Sequence, residues 1–98
     1  MSIKKIDYLY IYNLTGTVDL YIISSTSTNI TTMYVEKIGG NAGLILDGVY
    51  INTLTIGEIG GNSKLKIKNS IIEEVNGTNL NSGNVKIINS TIEGQKYD

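Results

Sequence analysis

The chain has 98 residues, with eight lysines, nine acidic residues and a net charge of −1, and it contains no Cys, His, Pro, Trp, Phe or Arg. That length is one domain, taken as a single unit over residues 1–98. The missing cysteines exclude disulfides and thiolate metal sites, the missing arginines exclude bidentate clamps on phosphate or carboxylate, and the near-neutral charge provides no field to recruit nucleic acid.

The opening Met1-Ser2-Ile3-Lys4-Lys5-Ile6-Asp7 holds two lysines with no long apolar run behind them, and polar residues interrupt every later apolar run. These features predict a soluble protein with no signal peptide or transmembrane segment, cytoplasmic or carried in a virion. The first strand-like segments, around Leu9 and across Val18-x-Leu20-x-Ile22, belong to a pattern that is clearest further on. Gly39-Gly40-Asn41 recurs 21 residues later as Gly60-Gly61-Asn62, Leu44-x-Leu46 as Leu65-x-Ile67, and Ile51 with Leu54 as Ile72 with Val75. Carried back through the chain, the step predicts four apolar columns: Leu9, Ile30, Ile51 and Ile72; Tyr12, Met33, Leu54 and Val75; Leu14, Val35, Ile56 and Gly77; Thr17, Ile38, Ile59 and Leu80. A fixed period of this size marks a solenoid, where each turn packs only on its neighbours.

Although 21 is three heptads, helices do not fit. Gly pairs recur in every turn, and apolar residues alternate with period two within it. A hairpin meander would alternate too, but gives no reason for one register to persist. The fold expected is all-β: a single-stranded parallel β-helix, or β-solenoid, of about four to five coils with roughly 21 residues and three short strands each. In the central coil the strands carry Leu44 and Leu46, Val49 and Ile51, and Leu54 and Ile56 inward. Corners fall at Asp47-Gly48, Asn52-Thr53 and Gly60-Gly61-Asn62-Ser63, residue types that tolerate left-handed backbone.

The first coil is irregular, because Val18-x-Leu20-x-Ile22 lies 24 residues before Leu44-x-Leu46. The polar residues 24–29 are expected to bulge at a corner, and a short turn at Leu14-Thr15-Gly16-Thr17 to restore the register. Beyond Leu80 the spacing contracts to 20, so Leu65, Ile67, Ser70 and Ile72 map to Val85, Ile87, Ser90 and Ile92. Asn69 and Asn89 then align with Gly48, and a short Asn stack is expected there. The polar residues 94–98 are expected to be a frayed tail.

The Ile/Leu/Val columns with Gly-Gly-Asn and Asn-Ser corners resemble the right-handed parallel β-helix of pectate-lyase-like proteins, bactofilins and viral tail and fibre proteins. The resemblance spans nearly the whole chain at the level of fold and brings no catalytic signature. In the polysaccharide-cleaving members it implies a ladder of acidic residues as the working site.

Outward positions supply the candidate sites. Lys66 and Lys86 stack, flanked by Lys64 and Lys68, as a candidate anion site or a solvated lysine edge. Asn52, Glu73 and Glu93 stack beside Glu74. Paired carboxylates can serve as acid and base or hold Ca²⁺, but no Arg or His completes such a site, so no catalytic residue, metal or cofactor is assigned. Tyr8, Asn29, Tyr50 and Ile71 form one outward column with Tyr10 beside it, and large apolar side chains outside a small solenoid point to an interface. The reading that follows is a non-enzymatic structural or interaction protein, a homo-oligomeric β-helix assembled as a trimer through Tyr8, Tyr10, Tyr50 and Ile71 or as an end-to-end dimer through its unpaired backbone edges, in a filament or a viral component. A carbohydrate-binding module is the first alternative, and an enzyme acting on polysaccharide through Glu73 and Glu93 the second.

Overall fold

Alternating side chains make each segment a strand, and the Gly and Asn corners turn the chain back over itself at each repeat. The computed structural model describes residues 5–24, 28–77 and 83–98. Among them run ten strands and no helix: β1 (Lys5–Ile11), β2 (Asp19–Ile23), β3 (Asn29–Ile38), β4 (Gly43–Asp47), β5 (Tyr50–Ile59), β6 (Lys64–Lys68), β7 (Ile71–Asn76), β8 (Val85–Ile88), β9 (Ser90–Ile92) and β10 (Gln95–Tyr97). Strands β1 to β9 pair with the second strand along the chain and β10 with β9, giving one sheet in the order β1-β3-β5-β7-β9-β10 and another in the order β2-β4-β6-β8. Every pairing is parallel except β9 with β10. The result is a β-solenoid of about four turns.

The repeated apolar positions lie opposite one another across the coils. Ile51 sits between Ile30 and Ile72, Leu54 between Met33 and Val75, and Leu44 and Leu46 face Leu65 and Ile67. These side chains form one buried core, with Val75 alone partly exposed. The 20-residue step is also present, pairing Leu65 with Val85 and Ile72 with Ile92. Leu80, assigned to the fourth column, lies outside the described residues. Lys37 and Glu58 stack on the surface as an ion pair at 3.4 Å.

Three details differ from the sequence expectation. In the two central coils the expected second and third strands are one ten-residue strand, β3 or β5, bent without losing its pairing. Ile51 and Leu54 are both buried although three apart, and the ladder passes over Asn52 and its counterpart Thr31. A second bend falls at Gly57. A Cβ there would meet the Glu36 carbonyl oxygen at 2.5 Å, so only glycine lets the coils close up.

The first coil does not regain the 21-residue register. Ile6, Leu9, Ile11 and Leu14 face Ile30, Met33, Val35 and Ile38, an offset of 24 throughout. The expected set Leu9, Tyr12, Leu14 and Thr17 has the same internal spacing, so the pattern fits twice. Burial decides: the observed set is four aliphatic side chains, and it leaves the Tyr12 and Thr17 hydroxyls in water. The three extra residues lie between Ile23 and Asn29, since β2 pairs with β4 at 24 while β3 pairs with β5 at 21. The bulge expected there involves residues 25–27, outside the described residues.

The tail expected to fray instead folds back as β10. Glu93 and Gly94 have φ of 52° and 80°, and Ile92 pairs with Gln95 across them. Two central residues with positive φ make a type I′ turn, which suits a two-residue hairpin. Tyr97 thereby packs against the core.

One corner is held by side chains. Gly48, Asn69 and Asn89 take left-handed backbone, with φ of 76°, 54° and 48°. Asn89 Nδ2 donates to Asn69 Oδ1 at 2.7 Å, and Asn69 Nδ2 donates to Asp47 Oδ1 at 2.9 Å, so the Asn stack ends on a carboxylate. Behind it, Ser70 Oγ accepts from the Val49 N–H and Ser90 Oγ from the Ser70 N–H, at 3.2 and 3.1 Å. Each serine hydroxyl donates to the carbonyl two residues back, so these buried hydroxyls are satisfied. Asn69→Gly keeps the backbone and loses the amide bonds, for about 1 kcal/mol. Asn69→Val adds a β-branched residue at positive φ and should cost roughly 2–4 kcal/mol in urea unfolding.

Candidate functional site

Alternation on β2, β4 and β6 sends every second side chain away from the core. Across the four-stranded sheet this makes outward columns: Asp19, Gly43 and Lys64; Tyr21, Ile45, Lys66 and Lys86; Ile23, Asp47, Lys68 and Ile88. A groove of about 820 Å³ lies over the first two columns and the adjoining corners, lined by Asp19, Tyr21, Asn41, Asn62, Lys64 and Lys66 among others. Gly43 makes the depression: a Cβ there would meet Asp19 Oδ1 at 2.6 Å, so the carboxylate occupies the space a side chain would fill.

The four lysines singled out from the sequence do not act as one set. Lys68 pairs with Asp47 at 3.9 Å in its own column. Lys64 and Lys66 enter the groove, while Lys86 continues the Lys66 column beyond it. Among the described residues no carboxylate lies within ion-pair distance of Lys64, Lys66 or Lys86. Among the described residues the groove thus offers two ammonium groups outside any ion pair, one carboxylate, amides and an exposed aromatic ring. Tyr21, Asn41 and Asn62 were not singled out as a site, although the 24-residue offset of Val18-x-Leu20-x-Ile22 from Leu44-x-Leu46 already places Tyr21 in the Lys66 column.

The acidic pair is engaged elsewhere. Glu93 sits in the hairpin turn, and its Oε2 accepts the Val75 N–H at 3.2 Å. A hydrogen bond to Glu73, with smaller contributions from desolvation and its charge, raises the Tyr50 phenol pKa above its ordinary value. Among the described residues no group of three acidic side chains could hold a metal ion, and no helix is long and apolar enough to cross a membrane.

The tyrosine face is split. Tyr50 lies opposite Ile71, but Tyr8 lies opposite Thr32, past the bend at Thr31. The misplacement follows from the first-coil register. Tyr8, Tyr10 and Tyr12 instead line the outside of the first coil, with neighbouring ring centroids 6.2 and 6.4 Å apart. Tyr34 of the next coil, absent from the sequence reading, stacks on Tyr10 at 5.2 Å with an interplanar angle of 9°. Tyr10 Oη donates to Glu36 Oε2 at 2.8 Å.

The first coil is also an open end. Leu20 points into the core column with Leu44 and Leu65, yet it is 37% exposed while they are fully buried. Ile6, Leu9, Ile11, Leu14 and Ile22 are likewise only partly buried. Among the described residues β1 and β2 are the outermost strands of their sheets, so each has one edge with no strand paired to it. Comparison with family models, curated proteins and solved structures finds no match to this chain.

The hydrogen bond to Glu36, then desolvation and the Glu36 charge, push the Tyr10 pKa up to about 12. The native state thus keeps a proton that the unfolded chain loses near pH 10, and stability falls as pH rises from about 10 to about 12. Glu36→Gln should shift the Tyr10 ionisation, followed by absorbance at 295 nm, to lower pH and move this loss of stability with it.

Proposed function

We propose that this β-solenoid is a non-enzymatic structural or interaction protein that works as a homo-oligomer. The observation that carries this reading is the placement of its exposed apolar surface. Of eight large apolar side chains exposed among the described residues, seven lie between residues 8 and 23, in the first coil, and Ile71 is the other. Apolar surface concentrated in this way marks a contact surface, and unpaired strand edges beside it are templates for another strand. The engagement of Glu93 with a backbone amide weighs against a carboxylate enzyme. Light scattering on the purified chain should give a multiple of its 10.7 kDa mass at micromolar concentration; a monomer would overturn the reading.

The groove favours a second reading, a carbohydrate-binding module. Sugar hydroxyls need donors and acceptors together, which Asn41, Asn62 and Asp19 supply, and an exposed ring such as Tyr21 offers an apolar face to a sugar. Lys64 and Lys66 favour an acidic glycan. On this reading an acidic polysaccharide titrated calorimetrically binds, and Tyr21→Ala weakens it about fivefold, the equivalent of about 1 kcal/mol. Unchanged affinity in that variant, or no binding at all, counts against it.

A further inference from the structure

The two ends of the solenoid differ. At the C-terminal end one sheet has six strands and finishes on β10, while the other has four and finishes on β8. That end is a step of one and a half strand spacings, roughly 7 Å, because β9 lies half a coil beyond β8 and β10 one strand beyond β9. At the N-terminal end β1 and β2 follow each other within one coil, so their edges differ in height by half a coil, roughly 2.4 Å. A second copy stacked head to tail cannot satisfy both edges: with its β1 paired to β10, its β2 stands two strand spacings too far from β8.

Two N-terminal ends fit each other. The inference rests on self-association as proposed above and names its geometry. We infer that two copies meet N-terminal end to N-terminal end across a two-fold axis through the corner between β1 and β2, each β1 pairing antiparallel with the partner's β2. This is the arrangement in which the half-coil ramps cancel, because the lower edge of each copy meets the higher edge of the other and both gaps become one strand spacing. Such a contact is isologous and closed, so it stops at two. Each six-stranded sheet then runs on into the partner's four-stranded sheet, giving two sheets of ten strands.

The side chains agree with this geometry. Inward-pointing Leu9 and Ile11 of β1 meet inward-pointing Leu20 and Ile22 of the partner's β2, and the two cores become continuous. These are the positions left partly exposed in the single chain. Outside, Tyr8 and Tyr10 flank the partner's Tyr21. The axis passes between residues 15 and 16 of the exposed corner, with Thr17 and Val18 beside it.

The chain has no cysteine, so single-cysteine variants report cleanly. A short bis-maleimide should link Thr17→Cys to its own copy and leave Lys86→Cys, on the far end, as single chains. Sedimentation velocity should show dimer and nothing larger, and Val18→Lys, at an exposed position, should be a folded monomer by circular dichroism. Oligomers larger than two, or a dimer in which Thr17→Cys does not cross-link, would overturn this geometry while leaving self-association standing. A wild-type chain that is monomeric would overturn both.

Discussion

Parallel pairing between successive coils is the interaction on which the rest of this molecule depends. Each strand is held by the strand one coil before it and the strand one coil after it, and a residue faces inward only because its counterparts above and below do. Ile51 is buried because Ile30 and Ile72 are in register with it. The core is a stack of thin layers, each lending its neighbours a wall, and stability adds up layer by layer. The buried serine and exposed asparagine ladders serve the same end. Just after the left-handed residues Gly48 and Asn69, the Val49 and Ser70 N–H groups bond to serine hydroxyls one coil away.

The stack was legible in the sequence wherever its period was uniform. From β3 to β7 the step is 21, and the columns, the Asn corner and the contraction to 20 beyond them could be read from residue types alone. The first coil was misread because two sets of positions share one spacing, and only the cost of burying Tyr12 and Thr17 separates them. That error moved Tyr8 and Tyr10 to the wrong side of a bend and hid the stacking of Tyr34 on Tyr10. The hairpin at Glu93-Gly94 was hidden for another reason: Glu is not a residue that announces positive φ, and the local sequence gives a polar tail no visible reason to turn back. The groove needed three dimensions, since it exists because Gly43 has no side chain and Asp19 lies across it.

An end coil has a wall on one side only. Natural solenoids close that side with a cap or with another molecule, and the two ends of this chain have had different treatment. The last coil is partly closed by β10 and Tyr97, whereas the first carries the exposed aliphatic and tyrosine side chains. Function is therefore sought at the first coil and along the groove that begins beside it, not at the carboxylates the fold resemblance drew attention to.

The corners absorb every change in coil length. Three residues are gained after β2 and one is lost between β7 and β8, yet the inward columns on either side stay aligned. Strand and corner are thus separable parts: the strands are bound by their neighbours, while a corner answers only to the geometry of its own turn. A lineage of such chains can lengthen a corner into a loop, or copy a whole coil, without repacking anything already buried. Its sequences then lose a constant period while the architecture persists, and new surface can arise at the rim of a core that does not change.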